Sequence, residues 1–155
     1  MSFVASTGPL NPERASEAAA LMEKCLPGYD KRQLEETVGW YMEGGWTDVI
    51  GVYTLVEGAG LVGIALFRMR HGYAEGTAGL TGFLDGIYME EKWRELSFLP
   101  ILIRGCMHHA ESKGCGELVS WCEPNDCISE NAHEEALFEE KAIVLRYRTV
   151  LECEN

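Results

Sequence analysis

The sequence predicts one α/β domain with a mixed, mostly antiparallel sheet flanked by helices, and three observations lead to that prediction. The chain has 155 residues, the length of an ordinary domain, and its 46% hydrophobic and 25% charged residues are typical of a globular protein. Some segments repeat apolar residues at helical spacing, and others are short β-rich runs. In order, these segments read β-α-α-β-β-β-α-β-α-β and form a single domain over 1–155.

Two helices are predicted in the N-terminal third. The first spans 11–26, where Asn11 is a good N-cap and Pro12 suits the first turn, and a Pro-Gly pair stops it. The second begins after Asp30 and ends at Gly44, with apolar residues on one face.

Three β-rich runs follow these helices. The runs 48–56 and 61–69 are joined by a glycine-containing tetrapeptide, which is the pattern of a β-hairpin. The third run, 80–89, comes after a loop over 70–79. We expect the three runs to form consecutive antiparallel strands.

The C-terminal half alternates helices with strands. A helix is predicted over 98–113, with Gly114 as its C-cap, and a strand over 117–122. Because a helical crossover joins them, 80–89 and 117–122 should be parallel neighbours. The last predicted elements are a short helix over 130–138, capped by Ser129, and a closing strand over 143–151.

The net charge of the chain limits the classes of molecule that it is expected to bind. A formal net charge of −12 opposes binding to nucleic acid or to an anionic membrane and favours a cationic substrate. The N-terminus has no signal-peptide pattern, and no apolar run approaches the ~20 residues of a membrane span. We therefore expect a cytoplasmic protein that binds neither nucleic acid nor membrane.

Cysteine and histidine spacing argues against a metal site. The six cysteines show no C-x-x-C motif and no histidine at metal-ligand spacing, which predicts reduced thiols. The neighbours His108 and His109 fall on the 98–113 helix and point about 100° apart. We expect both on the surface of that helix.

Several motifs resemble one enzyme family. The run 82–88, G-F-L-D-G-I-Y, resembles the V-G-F-L-E-G-I-Y-V signature of aminoglycoside 6′-N-acetyltransferases, a branch of the GNAT superfamily. Four other pieces match in the same order: 70–77 is similar to R-x-D-Y-V-x-G-T, 113–120 to R-G-C-x-E-L-A-S, Asn125 with Ser129 to an N…S pair, and 133–140 to H-x-A-L-G-F-E-E. The match is dense from about residue 60 onward.

This resemblance implies a fold, a cofactor and a reaction. The fold would be the GNAT fold, and acetyl-CoA would donate an acetyl group directly to a small cationic amine, aminoglycoside-like or polyamine-like. Family members are often homodimers. The alternative is a non-catalytic ligand-binding or interaction module on the same scaffold, because fold does not dictate function.

The resemblance also places the cofactor. In the family, the strand corresponding to 80–89 is followed by R-x-x-G-x-G/A, whose backbone approaches the pyrophosphate closely. Arg94 matches the arginine, whereas Ser97 and Leu99 stand at the glycine positions. We expect Ser97 to cap the next helix and Leu99 to place its side chain near the phosphates. The implied cofactor-binding residues are Ile87, Tyr88, Met89, Arg94, Glu95, Leu96, Ser97, Phe98, Leu99, Asn125 and Ser129.

Asp85 is the candidate for the amine end. Strand alternation predicts that it shares a face with Phe83, Ile87 and Met89. A carboxylate there can bind a substrate ammonium or relay its proton through water. The alternative is an exposed carboxylate, or one that is paired with an arginine, Arg68 or Arg70.

His133 and two aromatic residues complete the predicted site. His133 lies near the place where many GNAT enzymes carry a tyrosine that protonates the leaving thiolate, and an imidazole with a pKa near ~6.5 suits that task. The alternative is a surface histidine on an acidic helix. Tyr73, Asp85 and Trp121 form the implied substrate-binding set, and Trp121 either stacks on a cationic or sugar ligand or fills the pocket.

Overall fold

The computed structural model describes residues 5–54, 60–71, 79–139 and 149. Its elements are β1 (Ala5–Pro9), a 3-10 turn (Pro12–Arg14), α1 (Ala15–Cys25), α2 (Lys31–Glu43), β2 (Thr47–Thr54), β3 (Gly60–His71), β4 (Leu80–Met89), α3 (Glu91–Glu95), α4 (Phe98–Ser112), β5 (Glu117–Ser120) and α5 (Cys127–Glu135). The predicted strand over 143–151 lies outside the described residues, apart from residue 149.

The strands form one sheet in the order β1-β2-β3-β4-β5. The first four are antiparallel neighbours, and β5 runs parallel to β4 after the crossover through α4. Both predictions of strand direction are therefore confirmed. β5 pairs only with Thr81–Leu84, so on the edge of β4 that faces β5 no described strand pairs with the residues from Asp85 to Met89, whereas β3 pairs with β4 along the other edge. Beyond Leu84 this edge of β4 is therefore open in the described part of the chain, and we call this gap the opening between β4 and β5.

Helices cover both faces of the sheet. α4 and α5 pack on one face, and α1 and α2 pack on the other. The buried residues on the α4 face include Phe67, Leu84, Met89, Phe98, Leu99, Leu102, Ile103 and Cys106. Those on the α1–α2 face include Ala18, Met22, Leu34, Val38, Ile64 and Leu66.

The helix starts follow their caps. Asn11 accepts a hydrogen bond from the Glu13 N–H, as expected of a cap, but it caps the 3-10 turn, and α1 begins only at Ala15. α2 begins directly after Asp30, as predicted, and the Asp30 side chain accepts a hydrogen bond from the Arg32 N–H. The last helix differs, because Asp126 rather than Ser129 caps it and so α5 begins at Cys127. The sequence analysis also missed α3, which occupies the polar elbow after β4.

His109 does not lie on the surface as expected. Its ring is buried, with Nε2 3.3 Å from Asp48 Oδ2 and the ring edge against Phe67. His108 is exposed. The prediction was wrong for His109 because α4 buries much of its circumference against β1, β2 and β3, instead of one narrow stripe.

Candidate active site

A β-bulge sets the direction of Asp85. Leu66 pairs with Gly86 and Phe67 pairs with Leu84, so Asp85 is the extra residue on β4. The extra residue reverses the alternation of side chains beyond it. Asp85 stays with Phe83 on the α1–α2 face, where Arg68 contacts both of them.

The prediction that Asp85 shares a face of the sheet with Phe83, Ile87 and Met89 is therefore wrong in part. Ile87 and Met89 pack with the α4 core on the opposite face. Only Phe83 shares the face of Asp85. The physical reason is the inserted residue, which strict two-residue alternation does not include.

Three hydrogen bonds hold the Asp85 carboxylate. Arg68 donates from Nε to Oδ2 at 2.9 Å and from Nη2 to Oδ1 at 3.0 Å, and the Tyr41 hydroxyl donates to Oδ2 at 2.5 Å. An ionised carboxylate offers about four lone-pair positions, so one on Oδ1 remains for a ligand. Burial first, and then the bond to Asp85, raise the pKa of Tyr41 well above its usual range, so Tyr41 remains a donor.

On the other face of the sheet, His133 contacts Ser120. His133 Nδ1 donates to the Ser129 carbonyl at 2.6 Å, and Nε2 lies 2.7 Å from Ser120 Oγ. Since a carbonyl only accepts, Nδ1 carries the proton and Nε2 faces the hydroxyl. Ser120 pairs with Leu84, the last residue of β4 before the opening. His133 is thus half-buried, and both of its ring nitrogens have hydrogen-bond partners.

The elbow after β4 carries a second ion pair. Arg94 Nη2 donates to both oxygens of Asp126, at 2.9 and 2.7 Å. Asp126 also caps α5 by accepting from the Ser129 N–H at 3.1 Å. Burial raises the pKa of Asp126, but the bonds from Arg94 and Ser129 outweigh burial and hold it below its usual value. The arginine that matches the family motif is therefore already bound to a carboxylate.

The two residues at the glycine positions behave differently. Ser97 takes a left-handed conformation with φ of 64° and makes no side-chain cap bond, so the predicted cap is wrong. The Leu99 side chain is buried in the core, so the expectation that it reaches the phosphate region is also wrong. α4 begins at the residue after Ser97, and its first turn directs the Leu99 side chain into the core.

The other residues of the predicted cofactor set differ in their exposure. Phe98 and Met89 are buried, so only their backbone can face a ligand. The remaining members are Ile87 and Tyr88, which are partly buried, Glu95 and Leu96, which are exposed, Asn125, which lies in a turn with φ of 69°, and Ser129, which is buried.

Of the predicted substrate residues, Trp121 is 54% exposed just after β5. Tyr73 lies outside the described residues. The sequence analysis missed Tyr41, Ser120 and Asp126. Tyr41 and Asp126 come from elements distant along the chain from their partners, and no local pattern marks such contacts. Ser120 lay within a matched motif and was not singled out.

Burial raises the pKa of several thiols, Cys25, Cys106, Cys115 and Cys122, which argues against a thiolate nucleophile among them. Within 5–54, 60–71 and 79–139, no three potential metal ligands cluster. In the same ranges, no helix has the length and apolar character that a membrane span requires.

No family model matches the chain. Among curated proteins, it is 34% identical over 92 residues to aminoglycoside N(6′)-acetyltransferase type 1 of Stenotrophomonas maltophilia, which covers 59% of this chain and 60% of that protein. The protein of the same name from Salmonella typhimurium is 32% identical over 88 residues, covering 56% and 61%. The chain thus spans about three-fifths of the length of the curated relatives that it matches.

Solved structures resemble the whole described fold. An aminoglycoside N-acetyltransferase, AAC(6′)-Iy in complex with CoA, has a TM-score of 0.80 at 22% identity and covers 96% of this chain and 97% of that one. The aminoglycoside 6′-N-acetyltransferase AAC(6′)-Ih from Acinetobacter baumannii has a TM-score of 0.74 at 19% identity and covers 96% and 100%. The predicted resemblance is confirmed, and the chain has the GNAT fold.

Proposed function

We propose that this chain is an acetyl-CoA-dependent N-acetyltransferase that acts on a small cationic amine, of the aminoglycoside type or a polyamine. The observation that carries the proposal is the opening between β4 and β5. Asp85 is the first residue of β4 beyond the last β4–β5 pair, Leu84 with Ser120, and its carboxylate lies on one face of the sheet, whereas the Ser120–His133 contact lies on the other. Similarity to aminoglycoside acetyltransferases, and to one solved with CoA, supports the same reading.

The uncovered edge of β4 fits the acyl end of the cofactor. Backbone groups of Asp85–Met89 lie along an edge that no strand covers in the described ranges, and backbone N–H groups there can bind a thioester arm. Arg94 lies in α3, just before the start of α4, and its guanidinium can bind the pyrophosphate there. Acetyl-CoA supplies an activated thioester when bound.

The amine binds at Asp85 in this proposal. The remaining lone pair of Oδ1 accepts a hydrogen bond from the substrate ammonium, and water carries away the proton that must be lost before attack. Arg68 and Tyr41 fix the carboxylate, so its free position points in one direction. These two residues act by positioning Asp85.

Protonation of the departing sulfur comes from the opposite face. A protonated His133 donates from Nε2 to Ser120 Oγ, and the Ser120 hydroxyl proton passes to the sulfur. The carbonyl of Ser129 holds the ring so that only Nε2 faces Ser120. Ser120 receives the Nε2 proton as it gives up its own, so only His133 must then take a proton from solvent.

A direct test combines binding and transfer. Acetyl-CoA is titrated by calorimetry, and thiol release is then followed with neamine and with spermidine as acceptors. His133→Gln should lower kcat by about 10²-fold, the lower end for a proton-transfer group, because water can also protonate a thiolate. The matched control is His108→Gln on the exposed face of α4, which should keep full activity.

One observation favours the alternative function, a non-catalytic binding module. Arg94 is already bound to Asp126, and Ser97 replaces a glycine at a left-handed position. That reading is correct if acetyl-CoA fails to bind at millimolar concentration, or if no tested amine releases thiol. A homodimer in the cytoplasm remains part of our proposal on family resemblance alone.

A further inference from the structure

Ser120 and His133 have the geometry of a nucleophile and its base. His133 Nε2 lies 2.7 Å from Ser120 Oγ, a distance typical of a hydroxyl that donates a hydrogen bond to an imidazole. Because Nδ1 carries the proton, the lone pair of a neutral His133 is on Nε2 and faces this hydroxyl. The neutral pair is therefore arranged to remove the proton of Ser120, which is the opposite direction to the proton transfer in the proposed acetyl transfer.

Two contacts orient the imidazole ring. The Ser129 carbonyl accepts a hydrogen bond from Nδ1 at 2.6 Å, and Phe138 packs edge-on against the ring with centroids 5.2 Å apart. In serine hydrolases the group that orients the histidine is usually a carboxylate, and a carbonyl oxygen can replace it because it also accepts the Nδ1 proton. A nucleophile, a base at hydrogen-bond distance and a third group that orients the base are together diagnostic of nucleophilic catalysis.

The Ser120 hydroxyl belongs to the residue at which β5 ends. Ser120 pairs with Leu84, and beyond Leu84 the β4 edge is open in the described part of the chain. An acyl group bound along that edge begins one residue beyond the partner of Ser120. Backbone N–H groups of the open edge can stabilise the oxyanion that forms when the acyl carbon is attacked. Ser120 and His133 are both partly buried, so neither side chain is fully hydrated.

Ser120 is better placed for this role than the other hydroxyls and thiols near it. Burial raises the pKa of Cys122, so it remains a thiol, and its hydrogen bond is to the Ser129 side chain. Ser129 is itself buried. Ser112, at the end of α4, donates its hydroxyl proton to the His109 carbonyl. An imidazole nitrogen at hydrogen-bond distance distinguishes Ser120 from these groups.

We propose that Ser120 is a nucleophile that accepts the acyl group of a thioester, so that the chain hydrolyses acyl thioesters when no amine is bound at Asp85. Ser120 Oγ bonds to the acyl carbon as its proton passes to His133 Nε2. The C–S bond then breaks, and Nε2 gives that proton to the departing sulfur. This activity goes beyond the proposed function, in which the acyl group moves directly to an amine.

The second half of the reaction regenerates Ser120. His133 Nε2 takes a proton from a water molecule, whose oxygen attacks the acyl-serine ester. The bond between Ser120 Oγ and the acyl carbon then breaks, and the proton on Nε2 returns to Oγ. The net reaction consumes a thioester and water and releases a carboxylic acid and a thiol.

The test uses p-nitrophenyl acetate, an activated ester that does not need a pyrophosphate site. The protein is quenched in acid after brief reaction, and peptide mass spectrometry locates the acetyl group. We expect an acetyl group on Ser120 that hydroxylamine removes, since hydroxylamine cleaves esters and leaves the amides formed on surface lysines. Release of p-nitrophenolate should show an initial burst, because the acyl-enzyme accumulates when its hydrolysis is the slower step.

The variants separate the nucleophile from its base. Ser120→Ala should lose the acetyl-serine and lower the rate of p-nitrophenolate release by about 10²-fold, whereas His133→Gln keeps the hydroxyl and should slow acylation by about 10²–10⁴-fold. Ser120→Cys retains a nucleophile beside the base and should be acetylated at the same position. Ser112→Ala is the matched control and should react like the wild type, because its hydroxyl faces a carbonyl. Thermal melting of each variant confirms that it is folded.

Acetyl-CoA separates this inference from the proposed function. Without an amine, the wild type should release acetate and thiol, and Ser120→Ala should release far less. If Ser120 is acetylated and acetate is released while no amine is acetylated, the hydrolase inference is correct and the transferase proposal fails. If amines are acetylated but no hydroxylamine-sensitive acetyl group appears on Ser120, the nucleophile is refuted and direct transfer stands. Equal p-nitrophenolate release by the wild type and Ser120→Ala also refutes the inference.

Discussion

Two arginine–carboxylate pairs lie at opposite ends of the candidate site, and they differ in what supports them. The Arg68–Asp85 pair joins neighbouring strands of the sheet, with Tyr41 as a third partner. The Arg94–Asp126 pair joins the five-residue helix α3 to the cap of α5. The exposure of the two pairs is similar, so the elements that hold them make the difference.

One residue near the second pair has a strained backbone. Ser97 takes a φ of 64°, which costs a non-glycine residue about 1–2 kcal/mol, whereas Asn125, with a φ of 69°, belongs to a residue type that adopts this conformation readily. The first pair lies on regular strands apart from a single bulge. In our proposal, the pair on the sheet fixes the direction of the carboxylate that binds the amine, whereas the pair between the short helix and the turn competes with the cofactor for Arg94.

The largest expected effect concerns the rigid pair. Asp85→Asn keeps the shape of the side chain and removes its charge, so the substrate amine loses its anionic partner. We expect kcat to fall by about 10²–10⁴-fold, the range for a lost proton-transfer group. Acetyl-CoA affinity, measured by calorimetry, should stay within about twofold because Asp85 is bonded to Arg68 and Tyr41 and not to the Arg94–Asp126 pair.

Tyr41→Phe is the control for this change. It removes one bond to Asp85 but leaves the carboxylate and Arg68 in place. Its effect on kcat should be much smaller than that of Asp85→Asn. Full activity of Asp85→Asn on a confirmed acceptor would refute the role of Asp85 and leave the fold assignment intact.

The next largest effect distinguishes Ser97 from Leu99, the two residues that stand at the glycine positions of the family motif. Leu99→Ala removes a side chain that is fully buried in the α4 core, and we expect a loss of about 2–5 kcal/mol in the free energy of unfolding. Ser97→Gly should instead stabilise the fold by up to about 1 kcal/mol, because glycine adopts positive φ without strain. Urea denaturation of both variants measures the contrast. Equal, small effects would mean that Leu99 is not a core residue.

Local patterns predicted most of the fold. Alternating or helical spacing, with Asn11, Asp30 and Gly114 near the helix ends, was enough for α1, α2, α4 and four strands, because these signals depend on neighbouring residues. The bulge at Asp85 was not predictable, since one extra residue leaves the apolar pattern of the strand intact. The same limit applies to α3, a single turn in a polar segment.

The candidate site was less predictable because the residues that bond to each other in it are distant in sequence. Tyr41 lies 44 residues from Asp85, and Arg94 lies 32 residues from Asp126. The family resemblance points to Asp85, His133 and Arg94 as candidate site residues, but it could not reveal which charges were already paired. Ser97, and similarly Leu137 with a φ of 65°, adopt the left-handed conformation although neither is a glycine.

The smallest expected effect tests the pair at the elbow. Asp126→Asn retains a good N-cap for α5 but no longer holds Arg94 through a charge, so Arg94 is free to bind a phosphate. We expect acetyl-CoA to bind about tenfold more tightly, which is less than one full charge-assisted bond to phosphate. Glu123→Gln, an exposed acid in the same turn, removes an equal charge without touching Arg94 and should change affinity far less.

The pH dependence of the same variant gives a second readout. The folded-state pKa of Asp126 is held below its usual value, so its pairing stabilises the wild type above about pH 4 and is lost as the pH falls through the folded pKa. The urea midpoint of the wild type should therefore exceed that of Asp126→Asn at pH 7, and the difference should close in acid. If Asp126→Asn and Glu123→Gln tighten acetyl-CoA equally, the gain reflects overall charge, and Arg94 is not in competition between Asp126 and the cofactor.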